Sequence, residues 1–208
     1  MPLPPHETEF TASLRGKEWH FKTTWGLFSP KEIDDGTRLL IENTEAHPGD
    51  SIFDLGCGYG PIGIVLGTLS GGPLHMVDKD FVAIDYAKEN ATALGLKTAQ
   101  IYLSNAFSAV PEGLQFDLIV SNLPAKPGKE FFEIILHDAY AHLKPGGRIT
   151  VVTITGLREY IKRSFKEIFG SYEKIAESRG YTVAEAVKST DITKIPGNNY
   201  GNMIPYTW

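Results

Sequence analysis

Asp54, Gly56, Gly58 and Gly60 fall in one short run, Asp54-Leu55-Gly56-Cys57-Gly58-Tyr59-Gly60. The apolar Ser51-Ile52-Phe53 precedes it, and Pro61-Ile62-Gly63-Ile64-Val65-Leu66 follows. Alternating glycines let a ligand lie against bare backbone, because no Cβ stands in the way. The flanks predict a buried strand before the turn and a helix after it, with Pro61 at the first helical position. Strand, glycine turn and helix N-terminus together form the nucleotide-binding corner of a doubly wound α/β sheet. Two ligand classes use such a corner. Read as Gly58-x-Gly60-x-x-Gly63, the run fits the dinucleotide fingerprint of a nicotinamide-dependent oxidoreductase, a weak pattern on its own. A dinucleotide brings a pyrophosphate, which a carboxylate at the head of the loop repels. S-adenosylmethionine brings an ammonium and a sulfonium, which Asp54 attracts, so the run favours S-adenosylmethionine. The plain alternative is a tight turn with no ligand, for which three alternating glycines are a needless cost in backbone entropy.

A second carboxylate has the spacing of a ribose ligand. Leu74-His75-Met76-Val77 predicts the next strand, and Asp78 ends it twenty residues after Gly58. One helix and one strand fit in that interval, which brings Asp78 beside the glycine loop, where it accepts the two ribose hydroxyls of an adenosine. Asp78 can also be read as the cap of the following helix, a task that Asp80 serves as well.

The elements that must position these groups follow from the rest of the pattern. Ser29-Pro30-Lys31-Glu32 predicts a capping box, followed by Ile33, Thr37, Leu40, Ile41 and Thr44 at helical spacing. Phe81, Ile84, Ala87, Ala91 and Leu94 form the apolar face of a helix closed by Gly95. Ile101-Tyr102-Leu103 and Phe116-Asp117-Leu118-Ile119-Val120 predict two more strands. A helix with Phe132, Ile135, Leu136, Ala139 and Leu143 on one face stops at Lys144-Pro145-Gly146-Gly147, before a strand at Ile149–Thr153. A last helix carries Leu157, Tyr160, Ile161, Phe165 and Ile168. Strands alternating with helices imply a doubly wound, mostly parallel sheet covered on both faces. Only Ser178-Arg179-Gly180 separates the strands expected near Tyr172–Ala176 and Tyr181–Val187, so they form an antiparallel hairpin at one edge. The first ten or so residues are expected to be a loose tail, and Trp19–Trp25 a short strand or a lid.

Composition sets the bounds. The chain has 208 residues, 42% hydrophobic and 22% charged, as expected of one globular domain. The single cysteine excludes an internal disulfide, and in the glycine loop Cys57 reads as a packing residue. With six scattered histidines, no metal site is expected. No apolar run approaches a membrane span, and the start of the chain lacks the features of a signal peptide, so a cytoplasmic setting without a membrane partner is expected. The net charge of −5 argues against strong non-specific nucleic-acid binding and leaves room for RNA held by a local basic surface.

The ordered set of motifs resembles the class I S-adenosylmethionine-dependent methyltransferases, and within them the "methyltransferase small domain" family, which includes ribosomal RNA guanine-N2 methyltransferases. The pieces are Phe28-Ser29 with Asp35-Gly36-Thr37, the Asp54–Gly60 loop, Val77-Asp78, Ser104-Asn105-Ala106-Phe107-Ser108, Phe116–Asn122 and Leu143–Gly147. The resemblance implies a Rossmann-like seven-stranded sheet over residues 29–187, preceded by a segment 1–28 and followed by an extension 188–208. It implies that Asp54, Gly56, Gly58 and Gly60 hold the methionine moiety and Asp78 the ribose. Asn105 and Ala106 would contact the adenine, although Asn105 also reads as a turn residue. Asn122, beside the cofactor, would accept hydrogen bonds from a planar amine to be methylated, with Pro124 completing the catalytic motif. Positioning supplies much of such catalysis, so no metal or strong base is required. In the family the fourth strand ends in Asn-Pro-Pro and an aromatic or large apolar residue; here it ends in Asn122-Leu123-Pro124-Ala125. Phe28, Trp25 or the tail is then expected to supply the stacking face, and Lys126 and Lys129 to meet a phosphate or to be solvated surface charges. Four functions stay open on this reading. One is a methyltransferase for an exocyclic guanine amine in ribosomal RNA, another one for a protein glutamine or a small-molecule amine. The others are a nicotinamide-dependent oxidoreductase and a non-catalytic S-adenosylmethionine-binding module.

Overall fold

A computed structural model describes residues 7–125 and 128–190, the side chain of Lys129 excepted. A seven-stranded sheet runs through its centre. The strands are β3 (Ile52–Leu55), β4 (Leu74–Asp78), β5 (Gln100–Leu103), β6 (Phe116–Asn122), β7 (Leu143–Ile154), β8 (Glu173–Glu177) and β9 (Tyr181–Val187). They lie in the order β5-β4-β3-β6-β7-β9-β8, and every neighbouring pair from β5 to β7 is parallel. β9 runs antiparallel to both β7 and β8, the edge hairpin that the short Ser178–Gly180 connection demands.

The parallel strands are buried on both faces, so they read as continuous apolar runs. One face packs against α1 (Asp35–Asn43), α2 (Pro61–Ser70) and α3 (Phe81–Ala93), in a core that includes Leu40, Ile64, Met76 and Ala87. The other packs against α4 (Lys129–His142) and α5 (Arg158–Ile168), around Phe53, Phe132, Leu136 and Phe165. The chain steps outward from β3 through β4 to β5, then returns to the other side of β3 as β6. This reversal opens a crevice at the C-terminal ends of β3 and β6, where open α/β sheets bind ligands.

Two elements differ from the sequence-based expectation. The loose tail is shorter than expected, because Glu7–Leu14 is a strand, β1, paired antiparallel with β2 (Lys17–Thr24). The alternation of Phe10, Ala12 and Leu14 against Trp19, Phe21 and Thr23 gives this ribbon an inner face, and Phe10 and Phe21 pack on Tyr59 of the glycine loop. The Trp19–Trp25 stretch is accordingly mostly strand. The second difference is the start of α1. Its cap is Asp34, whose Oδ2 accepts the Thr37 N–H at 3.0 Å, rather than Ser29. Ser29 has a left-handed backbone (φ 47°) and its hydroxyl donates to the Glu32 carbonyl, so Pro30 and Lys31 form a turn before the helix. The expected extension from 188 on lies outside the described residues beyond Thr190.

Candidate active site

β3 delivers Asp54 and the glycine loop to the crevice. Gly56, Gly58 and Gly60 have φ of 73°, 56° and 97°, a region that glycine alone enters at little cost. The loop folds back on β4, with the N–H groups of Gly56 and Cys57 both donating to the Val77 carbonyl at 2.9 Å. The glycines divide the work. A Cβ at Gly56 or Gly58 would meet nothing within 4 Å, so both leave open space on the ligand side. One at Gly60 would come within 2.9 Å of Ile64, and one at Gly63 within 2.5 Å of the Met76 sulfur. Those two glycines serve the close packing of α2 on the sheet.

The crevice is a cavity of about 420 Å³. Its lining includes Gly56, Gly58, Asp78, Asn105, Ala106, Asn122, Pro124 and Phe28, all singled out in the sequence. Asp54 and Gly60 do not line it. Asp54 is fully buried beneath the loop, where its Oδ2 accepts the Gly63 N–H at 2.7 Å. Its Oδ1 has no hydrogen-bond partner among the described residues. Burial pushes the Asp54 carboxyl up to about 7; the Gly63 N–H opposes that shift and the nearby Asp78 charge adds to it. Asp78 is half-buried, accepting the Gly58 N–H at 2.9 Å on Oδ2 and the Asp80 N–H at 3.0 Å on Oδ1. Each oxygen keeps a lone pair for a further donor. Capping of α3 falls to Asp80, whose Oδ1 accepts the Val82 N–H at 2.8 Å. Burial, and then the charges of Asp54 and Asp78, push the Cys57 thiol well above its usual range, so it is no nucleophile.

On the far side, β6 ends at Asn122. Its amide nitrogen donates to Asp34 Oδ2 at 3.1 Å and to Thr37 Oγ1 at 2.9 Å. A carboxylate only accepts hydrogen bonds, so the NH2 must face Asp34, which leaves the carbonyl oxygen of this cavity-lining side chain untied to Asp34 or Thr37. Leu123 fills the place of the missing proline. It is buried in the core, and its N–H donates to the Val152 carbonyl at 3.0 Å, a bond no proline can make. Pro124 is exposed at the cavity and Ala125 does not line it. Lys126 lies outside the described residues; Lys129 opens α4, its side chain likewise outside them. Sequence reasoning missed Asp34, Lys79 and Phe131 as lining residues. Phe131 had a signal, an aromatic doublet Phe131-Phe132 of which the helical stripe needs only the second.

The sequence matches the methyltransferase small domain over residues 18–185. The chain belongs to this family. Among its relatives is protein YbxB of Bacillus subtilis (strain 168), 34% identical over 84% of this chain and 89% of YbxB. The ribosomal RNA large subunit methyltransferase G of Shewanella amazonensis is 30% identical over 78% of this chain, but only 44% of that protein is matched. The ribosomal RNA small subunit methyltransferase C of Hamiltonella defensa is 29% identical, over 82% of this chain and 51% of that protein. The chain thus spans about half the length of these two RNA methyltransferases. The fold matches the T. thermophilus 16S rRNA N2 methyltransferase RsmC, solved with AdoMet and guanosine, with a TM-score of 0.82 and 28% identity. That match covers 90% of this chain and 52% of RsmC. As a member of the family this protein is an S-adenosylmethionine-dependent methyltransferase, and the cavity fits that cofactor. Open space lies over Gly56 and Gly58, Asp78 has spare acceptor capacity, and beneath the loop lies the Asp54 carboxyl, whose Oδ1 has no partner among the described residues. The nicotinamide reading of the loop is set aside. Among the described residues no helix is long and apolar enough to cross a membrane, and no cluster of His, Cys, Asp and Glu could hold a metal.

Proposed function

We propose that this family member methylates the exocyclic N2 amine of a guanine in ribosomal RNA. The observation that carries the reading is Asn122, whose amide nitrogen is tied to Asp34 and Thr37, so that its oxygen is offered as an acceptor in the cofactor cavity. Bound S-adenosylmethionine supplies a methyl carbon on a sulfonium, an electrophile that needs little activation. Gly56 and Gly58 accommodate its methionine part above the buried Asp54 carboxyl, whose ionised form the bound cation favours. Asp78 accepts the ribose hydroxyls, and Asn105 and Ala106 border the adenine. Asn122 accepts a hydrogen bond from the acceptor NH2, which draws the nitrogen lone pair out of conjugation and aims it along the methyl–sulfur axis. The amine would gain a positive charge as it took the methyl group from the sulfonium, and the Asn122 oxygen would stabilise that charge until a proton left to water. Much of the rate gain therefore comes from orientation. Phe28 and Phe131 line the same cavity and leave apolar rings exposed, at 66% and 37%, as faces for a flat base that Ala125 does not provide. The relatives that act on ribosomal RNA, and the guanosine bound by RsmC, support a guanine acceptor.

The deciding experiment incubates the full chain with methyl-labelled S-adenosylmethionine and either total RNA or total protein. Label recovered as N2-methylguanosine in ribosomal RNA is the expected result. Label confined to protein or to a small molecule overturns the guanine assignment.

A further inference from the structure

Asp34 does more than cap a helix. Its Oδ2 accepts both the Thr37 N–H, at 3.0 Å, and the Asn122 amide, at 3.1 Å. Its Oδ1 accepts the Tyr181 hydroxyl, which donates from β9 at 3.1 Å. Tyr181 is seated by a glycine: a Cβ at Gly36 would come within 2.7 Å of the Tyr181 ring. Glycine inside a helix is unfavourable by roughly 0.5–1 kcal/mol relative to alanine, so its presence in the first turn of α1 calls for such a reason. Three elements thus converge on one carboxylate beside the cavity, and that carboxylate touches the side chain that receives the acceptor amine.

We propose that Asp34 is a positioning residue for methyl transfer, which locks the Asn122 amide with its oxygen toward the acceptor. The proposal rests on the reading of Asn122 as the amine acceptor. An asparagine amide is nearly symmetric in shape, and the two ends differ only in whether they donate or accept. Thr37 Oγ1 can do either and does not choose between them. Asp34 can only accept, so it alone forces the NH2 inward and the oxygen outward. Without it the Asn122 amide samples the reversed orientation, which points a donor at a donor on the substrate. Tyr181 in turn holds the carboxylate by its other oxygen.

The test separates capping from positioning. Serine is as good an N-cap as aspartate, so Asp34→Ser keeps the bond to Thr37 and loses those to Asn122 and Tyr181. The expected result is a turnover number lowered about tenfold, the scale of one lost orienting hydrogen bond, with the S-adenosylmethionine dissociation constant within twofold of wild type. Asp34→Asn still offers a carbonyl oxygen to Asn122 and should recover most of the turnover. A readout independent of turnover is the preference for guanosine over inosine, which lacks the amine, in binding to the complex with the demethylated cofactor. That preference should shrink in Asp34→Ser and persist in Asp34→Asn. Asn122→Ala run alongside identifies which idea has failed. If Asn122→Ala is inactive while Asp34→Ser turns over like wild type, or if Asp34→Ser loses cofactor affinity in step with turnover, the positioning role is overturned. If Asn122→Ala itself keeps full turnover, the reading of Asn122 is overturned, and this proposal with it.

Discussion

Around the glycine loop, the two carboxylates reach backbone groups close in sequence: Asp54 to Gly63, nine apart, and Asp78 to Gly58, twenty apart. Around Asn122 they join residues 85, 88 and 147 apart, through Thr37, Asp34 and Tyr181. The first half of the cavity is one βαβ unit whose spacing is fixed by local geometry. The second is assembled only when α1, β6 and β9 pack together. The difference teaches that the cofactor half is a property of a short segment, while the acceptor half is a property of the whole fold. Substitutions should separate the two halves cleanly.

The sharpest separation is expected at Asn122. Asn122→Ala removes the oxygen proposed to receive the substrate amine and leaves the glycine loop and Asp78 untouched. Turnover should fall about a hundredfold or more, the scale on which a misplaced reactant costs rate. Cofactor affinity should stay within a few-fold, which a binding titration beside single-turnover kinetics measures. Loss of both together would join the two halves again.

The contrast also explains what could be read from the sequence. The placing of Gly58 and Asp78 together was legible because a strand, a turn and a helix have known lengths; Asp54 heads the same loop but is buried beneath it and does not line the cavity. The mostly parallel sheet followed in the same way from alternation of strands and helices, and the edge hairpin from the three residues before Tyr181. Asp34 was illegible for the converse reason. Ser29 with Glu32 offers a capping box in the sequence, whereas Asp34, which caps the helix, is also tied to Asn122 and Tyr181, residues far away in the chain. β1 was hidden because Phe10 belongs to a short amphipathic strand that has no inner face until it meets Phe21 and Tyr59. Gly60 shows the limit of motif reading even in the legible half. It sits in the pattern, yet it serves packing against Ile64.

A smaller effect belongs to the cofactor half alone. The buried Asp54 carboxyl titrates near 7 in the folded protein, against 3.8 as its ordinary value. Between those values the folded chain holds a proton that the unfolded chain has released. Stability of the ligand-free protein therefore falls as pH rises from about 4 to about 7, by on the order of 1 kcal/mol per pH unit from this group, and levels off above. Asp54→Asn removes that slope, so the difference between wild-type and variant melting temperatures should change across this window and be flat above it. Parallel curves would show that Asp54 is not held protonated.

Next comes Asp78. Asp78→Ala deletes the two oxygens proposed to accept the ribose hydroxyls, and hydrogen bonds to a charged group are worth about 1.5–3 kcal/mol. Affinity for S-adenosylmethionine and for its demethylated product should drop by roughly tenfold to a hundredfold, with the turnover number at saturating cofactor much less affected. Unchanged affinity in calorimetry would remove Asp78 from the cofactor half.

The smallest effect sits at the rim of the acceptor half and decides which aromatic replaces the one missing at Ala125. Trp25, Phe28 and Phe131 are all exposed, at 69%, 66% and 37%. Only Phe28 and Phe131 line the cavity. An aromatic ring stacked on a base is worth about 0.5–1.5 kcal/mol beyond the area it covers, so Phe131→Ala or Phe28→Ala should raise KM for the RNA about twofold to twelvefold. Cofactor affinity should not move, because neither ring belongs to the glycine loop or to Asp78. Phe131→Trp keeps a flat face and should keep KM near wild type, whereas Phe131→Leu keeps apolar contact without the ring and should behave more like alanine. Trp25→Ala serves as the control, since its ring lies off the cavity and should leave KM unchanged. If Trp25→Ala raises KM and both phenylalanine variants do not, the base enters from the side of the β1–β2 ribbon, and the acceptor half is larger than the cavity between Asn122 and Phe131.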